Sequence, residues 1–507
     1  MSSSQRLAVI DLGSNSFRLV VFMADDGWWK RTDEIYQPVR IGEGLAGSGK
    51  LGEGPMRRAL ETLDVFAHFC RASGLSEREI DAVATSAIRD AANAEAFLDR
   101  ARQQTGLPIR VLSPAAEAHY GYLAAVNSTT LTDGCVLDLG GGSMQLVRVE
   151  KRLAKDCGSW PVGAVRMTER FLPDGDPAKP KQLDALRVHI ASELQKAQWL
   201  ERSGRHLVGI GGTVRNLAAA AQKIAGLPSG GVQGAVIERS ALDDLVDSLA
   251  ALPASERSRI PGIKQARADL ILAGAVVVQS VLRAGDFDAL EITEAGLREG
   301  VFFERYLNHT QPPLLDDPRR ASVLNLAARY HMDVPHTRHV AALALSMFDQ
   351  LSELGLHEGD QGERELLWAA CVLHDIGMSV DYDDHHKHSR YLILNGGLPG
   401  FSPGEVAIIA QAARYHRKGM PEPGPLQALL SNGDAGRLDR CAALLRLAED
   451  LERSRDQLVR STEIELHDGQ VQLRLISDDQ TAVPRWAASR ERELFARAFH
   501  RDLAVTA

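Results

Sequence analysis

A chain of 507 residues is longer than one hydrophobic core usually supports, so two to four domains are expected. The net charge of −9 excludes a general attraction to nucleic acid or anionic membranes, and a polyanion would need a local basic pocket or channel. Five cysteines without paired spacing, no charged-then-apolar leader and no long apolar run predict a cytoplasmic protein with reduced thiols and no integral membrane segment.

The first part of the chain alternates strand-like and helix-like patterns. Apolar strand patterns are followed by amphipathic helical patterns, with strands at 7–10, 17–23, 82–85 and 109–112 and helices near 55–73, 92–105 and 115–126. This alternation predicts an α/β sheet covered by helices. We place the first domain at 1–127.

The same order of elements returns between residues 133 and 306, with further strands at 207–210 and 289–293. The repetition suggests an internal duplication, in which two α/β halves face each other across a cleft. We place the second domain at 128–310 and interpret the proline-containing stretch 308–317 as a linker.

Beyond the linker the pattern changes. Helical periodicity of Leu and Ala dominates residues 319–455, where histidines also become frequent, and we predict an all-α domain at 311–455. Alternating apolar residues within 462–476 predict strands before a closing helix. This gives a small α+β domain at 456–507.

Three apolar strands each run into glycine and small polar residues. The three segments are DLGSNS at 11–16, DLGGGS at 138–143 and GGT at 211–213. Glycine lets successive backbone N–H groups converge on phosphate oxygens, while the aspartates could hold a cation. A glycine after a strand is usually only a turn, but three such loops in order predict a phosphate-binding cleft.

Six motifs together resemble the exopolyphosphatase / guanosine pentaphosphate phosphohydrolase (Ppx/GppA) family of the actin-like ATPase superfamily. They are DLGSNSFRL (11–19), TSAIRD (85–90), AEA (116–118), DLGGGS (138–143), GGT (211–213) and AGLREG (295–300). The resemblance covers residues 1–310 and implies two actin-like (ribonuclease H-like) α/β domains flanking a cleft. The remainder resembles the C-terminal extension of the longer members, an all-α domain related to HD phosphohydrolases and a small α+β domain.

The resemblance implies Mg²⁺-dependent hydrolysis of the terminal phosphoanhydride bonds of inorganic polyphosphate, with release of orthophosphate. Glu117 matches the family's catalytic base, which would orient and deprotonate water, although an acid in the first turn of a helix also favours the helix dipole. Asp11 and Asp138 would hold Mg²⁺ directly or through water, and either could instead cap a turn. Arg89 would be a bidentate partner of phosphate, or a surface cation beside Asp90.

Hydroxyl, amide and backbone groups of the three loops would meet the phosphate oxygens. These substrate-binding candidates are Ser14, Asn15, Ser16, Gly140, Gly141, Gly142, Ser143, Gly211, Gly212 and Thr213. Gln145 stands where the family commonly has glutamate, and an amide can orient water or substrate but cannot neutralise a metal. Arg298 and Glu299 are interpreted as part of the hinge or cleft wall.

In the third domain, histidines and aspartates follow the order of an HD-type metal site: His339, His374, Asp375, His388, His416 and Asp450. Imidazole and carboxylate ligands suit transition metals. The resemblance therefore implies a second divalent metal at His339, His374, Asp375 and Asp450, with packing histidines as the alternative. A second hydrolytic activity on a nucleotide stays open.

Cations near this site fit a different role. Arg417 and Lys418, with neighbours Arg414, His386, Lys387 and Arg390, could line a passage for a long polyphosphate chain and make removal of its phosphates processive. A solvated charged face is the alternative.

Two other functions stay open: removal of the 5′ γ-phosphate of guanosine pentaphosphate to give the tetraphosphate, and a non-catalytic alarmone sensor. Kinase or ATPase activity is disfavoured because the sequence gives no sign of an adenine pocket. The expected partners are inorganic polyphosphate or the guanosine penta- and tetraphosphates, not nucleic acid. A homodimer is implied by the resemblance alone.

Overall fold

The computed structural model of the protein describes residues 5–25, 27–228 and 230–506. The chain divides into two compact units, Met1–Pro318 and Arg319–Ala507. Among the described residues, none of the helices is both long enough and apolar enough to cross a bilayer.

The first half of the first unit is a five-stranded sheet with the order β3-β2-β1-β4-β5. Its strands are β1 (Gln5–Leu12), β2 (Phe17–Asp25), β3 (Trp28–Gln37), β4 (Ile80–Ala84) and β5 (Ile109–Val111). Its helices are α1 (Leu45–Ser48), α2 (Glu53–Ala72), α3 (Ser86–Arg89), α4 (Ala94–Thr105) and α5 (Pro114–Val126). β1 and β2 form an antiparallel hairpin, while β4 runs parallel to β1 and β5 parallel to β4.

The second half is a six-stranded sheet with the order β10-β11-β9-β6-β7-β8. Its strands are β6 (Gly134–Leu139), β7 (Met144–Glu150), β8 (Leu153–Trp160), β9 (Leu207–Ile210), β10 (Val236–Glu238) and β11 (Ala289–Ile292). Its helices are α6 (Ala164–Phe171), α7 (Pro180–Leu194), α8 (Gly212–Ile224), α9 (Arg239–Ala250), α10 (Ile271–Ala284) and α11 (Leu297–Tyr306).

The two sheets repeat one topology. In each, an antiparallel hairpin is followed by a strand parallel to its first member, and the series β3-β2-β1-β4-β5 matches β8-β7-β6-β9-β11, with β10 added antiparallel at the edge. Asp11 and Asp138 occupy the same place, one residue before the end of the first strand of the hairpin. This is the arrangement expected from the predicted internal duplication.

Apolar residues on both faces of β1 explain its central position. Ala8 and Ile10 belong to the core under α2 and α4, whereas Val9 points into a second core formed with α5 and α11. That second core also contains Val136 of β6 and therefore joins both halves. A strand buried on two faces reads as a continuous apolar run, as β1 does.

The predicted linker 308–317 is packed against the first unit. Asn127 Nδ2 donates to the carbonyl of Pro313 at 3.1 Å, and the Leu315 amide donates to Asn127 Oδ1 at 2.7 Å. Leu314 packs against the core that joins the two halves. The first unit therefore extends to Pro318, beyond the predicted limit at 310.

The second unit is helical with a small sheet. Its helices are α12 (Pro318–Arg329), α13 (Val334–Glu353), α14 (Gln361–Leu373), α15 (His385–Gly396), α16 (Pro403–Arg414), α17 (Asp434–Leu451), α18 (Ala482–Ala488) and α19 (Arg492–Phe499). Its strands are β12 (Ser461–His467), β13 (Gln470–Ile476) and β14 (Leu503–Thr506), with β13 central, antiparallel to β12 and parallel to β14.

The predicted domain 456–507 shares its core with these helices. Val471, Leu473 and Phe495 belong to the same buried cluster as Leu367 and Leu444. A three-stranded sheet and two short helices have too little apolar surface to form a stable core alone, which explains why they pack onto the larger helices.

Candidate active site

A cavity of about 130 Å³ lies between the two sheets of the first unit, where β1, β4, β6 and β9 end. All three glycine loops reach it. The predicted residues that line it are Asp11, Ser14, Asn15, Ser16, Glu117, Asp138, Gly140, Gly141, Gly211 and Gly212. The topology thus brings together loops that are far apart in the chain, because equivalent strand ends of the two halves face each other.

Four predicted residues do not line this cavity. Gly142 lines a smaller neighbouring cavity, and Ser143 is buried behind the loop. Thr213 packs against α10, where a Cβ on Gly274 would lie 2.5 Å from its Cγ2. Arg89 contacts Glu117 instead of the lining, as described below.

Close approach of backbone explains the glycines. A Cβ on Gly142 would lie 2.6 Å from Ser86 Oγ, and one on Gly212 would lie 2.2 Å from a terminal nitrogen of Arg267. Real Cβ atoms do not come so near other heavy atoms, so any larger residue would push these side chains away. The two loops therefore place backbone beside polar side chains of the cavity.

Glu117 is fixed by the start of α5. Ser113 caps the helix by accepting from the Ala116 amide at 3.1 Å, and Pro114 occupies the first turn. Glu117 then lies in that turn, only 6% exposed. Arg89 Nη1 donates to Glu117 Oε2 at 2.8 Å and to the carbonyl of Leu112 at 3.0 Å.

The second oxygen of Glu117 faces a short polar chain. Ser143 Oγ donates to Glu117 Oε1 at 3.5 Å, and Gln145 Nε2 donates to Ser143 Oγ at 2.9 Å and to Ser159 Oγ at 3.1 Å. Gln145 lies opposite Asp138 in the β6–β7 hairpin. The glutamine therefore orients the serine beside the predicted base, a role that its position in the sequence did not reveal.

Three buried carboxylates shape the electrostatics of the cavity. Burial, together with the charges of Glu117 and Asp11, raises the pKa of Asp138 to about 7. Burial also raises the pKa of Glu117, although Arg89 opposes this, and it raises the pKa of Asp11 against Arg298. Buried carboxylates that raise each other's pKa values form a suitable environment for a hard divalent cation.

The spacing of these acids indicates how such a cation would bind. Among the described residues, no three acids of this cavity have ligand oxygens mutually within 4.8 Å. Mg²⁺ typically keeps several waters and uses one or two carboxylates together with substrate phosphates. Asp11 and Asp138 fit that mode of binding better than a closed protein cage.

Four arginines line the cavity: Arg18, Arg215, Arg267 and Arg298. Arg298 is only 4% exposed, and its Nε and Nη1 have no hydrogen-bond partner among the described residues. Burial and the nearby charges of Arg298 and Arg18 lower the pKa of Arg215 to about 10. Clustered guanidinium groups repel one another, and this repulsion is relieved when a polyanion binds between them.

Sequence patterns missed most of these arginines. Arg298 is predicted as part of the hinge or cleft wall, and its place in the lining agrees with the latter, whereas Arg18 enters only as part of the first motif. Arg18 is the cross-strand partner of Asp11, and Arg215 lies in the first turn of α8, three residues after Gly212. An arginine at such a position after a glycine loop is a usable signal, whereas Arg267 follows no comparable pattern.

Residues 20–309 match the profile of the Ppx/GppA phosphatase family, and residues 319–489 match that of Ppx/GppA phosphatase domain III. The chain belongs to the Ppx/GppA phosphatase family. It is 30% identical to the family member from Aquifex aeolicus, over 61% of this chain and 99% of that one, with a TM-score of 0.53.

Two further structures share the fold of this Ppx/GppA chain over about three-fifths of its length. An exopolyphosphatase-like protein is 25% identical over 60% of this chain and 100% of its own, with a TM-score of 0.54. An exopolyphosphatase from Cytophaga hutchinsonii is 23% identical over 59% of this chain and 97% of its own, with a TM-score of 0.56.

The second unit of this Ppx/GppA protein contains a separate group of metal-ligating side chains. We call it the histidine cluster and define it as His336, His374, Asp375, His385, His416 and Glu449. The predicted doublet His374-Asp375 and His416 belong to it. Three predicted members do not.

The structure corrects the positions of those three members. His339 turns away and its Nε2 contacts the carbonyl of Val459 at 2.8 Å, while Asp450 accepts from Arg453 at 3.2 Å. The place of His339 is taken by His336, three residues earlier on α13. The place of Asp450 is taken by Glu449, one residue earlier on α17. One residue of α-helix turns a side chain by about 100°, which separates Glu449 from Asp450, whereas three residues leave His336 and His339 only about 60° apart around the axis of α13.

The third correction concerns His388, whose place in the cluster is taken by His385 at the start of α15. Of the predicted polyphosphate contacts in this unit, Lys418 is exposed and Arg417 is exposed with its guanidinium 5.4 Å from the centre of the Tyr382 ring. Their role in binding a phosphate chain stays a prediction.

Proposed function

We propose that the protein is a Mg²⁺-dependent exopolyphosphatase that hydrolyses terminal phosphoanhydride bonds of inorganic polyphosphate and releases orthophosphate. The observation that carries this proposal is the cavity itself: four arginines and three glycine loops surround a buried glutamate held by Arg89. Membership of the Ppx/GppA phosphatase family and the similarity to an exopolyphosphatase-like protein support it.

In this account the arginines and the loop amides bind the end of the chain. Arg298 and Arg215 would contact non-bridging oxygens, which supplies the hydrogen-bond partners that Arg298 lacks. The N–H groups of Ser14, Asn15 and Gly141 would face the same phosphoryl group, whereas those of Gly13 and Gly140 donate to the carbonyls of Ser16 and Ser143 within their own turns. These donors stabilise the charge that develops on the transferred phosphoryl group.

Glu117 would act as the general base. Its Oε2 is held by Arg89, which leaves Oε1 to accept a proton from the attacking water. A raised pKa makes the carboxylate a stronger base near neutral pH. The water oxygen bonds to the terminal phosphorus, the bridging P–O bond breaks, and the products are orthophosphate and a chain one phosphate shorter.

When bound near Asp11 and Asp138, Mg²⁺ would neutralise charge on the phosphoryl oxygens. The carboxylates of Asp11 and Asp138 are the hard oxygen ligands that this ion prefers, and their raised pKa values indicate that neutralisation by a cation would be favourable.

A second candidate is removal of the γ-phosphate of guanosine pentaphosphate. One observation favours it: the Arg18 guanidinium, which lines the cavity, lies 4.7 Å from the centre of the Tyr36 ring, and that ring is 36% exposed. An aromatic ring beside a phosphate-binding cavity could stack with a purine base.

The test is phosphate release by the full chain with saturating Mg²⁺, measured separately on long-chain polyphosphate and on guanosine pentaphosphate. We expect a higher kcat/KM for the polymer. Preference for the nucleotide would favour the second candidate. Tight binding of the nucleotide without turnover of either substrate would instead favour an alarmone sensor.

A further inference from the structure

We propose that the histidine cluster of the second unit binds two divalent transition-metal ions that share the Asp375 carboxylate. This inference does not depend on the proposed function, because it uses no residue of the active-site cavity. It rests on where the ligand atoms lie, on what holds the imidazoles, and on which buried atoms lack partners.

The ligand atoms form two groups with one common member. His336, His374, Asp375 and Glu449 offer one atom each, and these four atoms lie within 4.8 Å of one another. Asp375, His385 and His416 form the second group under the same limit. A four-ligand and a three-ligand group joined at one carboxylate describe a pair of adjacent metal positions.

The shared atom is Oδ1 of Asp375. It lies 3.7 Å from His374 Nε2 in the first group, and 3.2 Å and 3.6 Å from the Nε2 atoms of His385 and His416 in the second. Its partner Oδ2 accepts from Arg455 at 2.7 Å, which fixes the orientation of the carboxylate. A single oxygen between two ions suits the separation of about 3.5–4 Å found in two-metal sites.

Three imidazoles are held in the tautomer that metal binding requires. Nδ1 of His374, His385 and His416 lies 2.7, 2.8 and 2.7 Å from the backbone carbonyl three residues earlier. A carbonyl only accepts, so each Nδ1 carries a proton, and in the neutral form of each ring the Nε2 lone pair is available to a metal. Such second-shell bonds from the distal nitrogen typically accompany metal-binding histidines.

The resulting lone pairs face one another. Nε2 of His385 and Nε2 of His416 are 3.2 Å apart, and two rings that are both neutral with Nδ1 protonated would have no proton to donate there. In the first group, Glu449 Oε2 lies 3.1 Å from His336 Nε2 and 3.2 Å from His374 Nε2. A cation among these atoms converts the repulsion between lone pairs into coordination.

Unpartnered buried atoms give independent support. Among the described residues, His336 Nε2, His374 Nε2, Asp375 Oδ1 and Glu449 Oε2 have no hydrogen bond of acceptable geometry. His374 is fully buried and His336 is 2% exposed. Leaving a buried polar atom unpaired costs about 1–3 kcal/mol, so several of them at one point call for a ligand.

The ligand set defines the type of ion. Four imidazoles and two carboxylates suit divalent transition metals such as Mn²⁺, Fe²⁺ and Zn²⁺, whereas Mg²⁺ prefers oxygen ligands alone. Excess Mg²⁺ should therefore compete at the oxygen-lined cavity of the first unit but not at the histidine cluster. This difference allows the cluster to be tested in the intact protein.

The experiment loads the chelator-treated full chain with Mn²⁺ in excess Mg²⁺, removes free metal, and measures bound Mn²⁺ by mass spectrometry. We expect two ions per wild-type chain, none with Asp375→Asn, and one with either His336→Gln or His385→Gln. His339→Gln and His388→Gln are matched controls and should still bind two. A wild-type chain without tightly bound Mn²⁺, or full retention by Asp375→Asn, would overturn the proposal.

Circular dichroism and Tm identify variants that fail to fold. If Asp375→Asn is unfolded, the two histidine variants decide the stoichiometry. Electron paramagnetic resonance of the loaded wild type then tests adjacency, because a coupled pair differs from the six-line spectrum of an isolated Mn²⁺. A spectrum of isolated ions alone would contradict the shared carboxylate.

Discussion

Arg89 donates to Glu117 through a contact of 2.8 Å between Nη1 and Oε2, and the two side chains are 17% and 8% exposed. A buried ion pair of this kind adds little net stability, but removing one partner leaves the other uncompensated. In the proposed reaction the pair also fixes one oxygen of the base. The same arginine opposes the effect of burial on the pKa of Glu117.

We therefore expect Arg89→Met to shift the pH dependence of activity. Loss of the guanidinium raises the pKa of Glu117 further, so the acid limb of kcat/KM moves to higher pH and activity partly recovers in alkaline buffer. Arg100→Met, at an exposed ion pair on α4, is the control. An equal loss at every pH would show that Arg89 does not act on Glu117.

Arg298 is expected to bind substrate, and its burial without hydrogen bonds is expected to add nothing to the stability of the substrate-free protein. Arg298→Met should raise KM for polyphosphate by about 10–100-fold, since a charge-assisted hydrogen bond contributes about 1.5–3 kcal/mol. Tm without substrate should change little, because Nε and Nη1 of Arg298 make no hydrogen bond among the described residues and Nη1 has only a 3.7 Å contact with Glu34 Oε1.

The matched control for that variant is Arg257→Met. Arg257 is 1% exposed and donates from Nε to the Leu249 carbonyl at 3.0 Å, outside the cavity. Arg257→Met should lower Tm and leave KM for polyphosphate unchanged. A reversed pattern, with Arg298→Met destabilising and KM constant, would assign Arg298 a structural role.

Asp138 should make the Mg²⁺-free protein less stable as pH rises. Its folded pKa of about 7 exceeds the ordinary value of 3.8, so the folded state holds a proton that the unfolded state loses between these values. The free energy of unfolding therefore falls from about pH 4 to pH 7 and levels off above it.

Asp138→Asn removes this dependence. It should raise Tm by several degrees at pH 8 without Mg²⁺ and change it little at pH 4, and Asp64→Asn at an exposed position on α2 should do neither. Thermal unfolding at the two pH values measures the effect. A lower Tm at pH 8 would contradict a raised pKa.

Gly300 allows α11 to pack on α5, because a Cβ there would lie 2.0 Å from the Tyr120 carbonyl oxygen. Gly300→Ala should destabilise the first unit by about 1–3 kcal/mol, as overpacking of a core typically does. Gly54→Ala on α2 meets only the end of the Arg58 side chain at 3.8 Å and should be neutral or stabilising. Equal denaturation midpoints for both variants would count against the tight contact.

The features that could be predicted from the sequence are those that depend on local residue patterns. An apolar strand followed by Asp and Gly located both hairpins, and their repetition anticipated the shared sheet topology and the cavity. Capping by Ser113 and Pro114 likewise placed Glu117 in the first turn of a helix.

Local sequence patterns could not predict contacts that depend on the tertiary structure. Arg267 reaches the cavity only because the fold brings it beside Gly212. The sequence order pointed to His339, and the place of His336 in the cluster depends on how α13 is rotated against α14 and α17. The proline-containing stretch 308–317 reads as a linker in composition, yet Asn127 binds it to the first unit.

The most direct test of the central claim is phosphate release from long-chain polyphosphate by Glu117→Gln. We expect kcat to fall by about 10²–10⁴-fold while KM changes little, because a general base is lost and the binding groups remain. Glu61→Gln, at an exposed position of α2, should match the wild type. Unchanged kcat in Glu117→Gln would contradict the assignment of the base and, with it, the proposed reaction in this cavity.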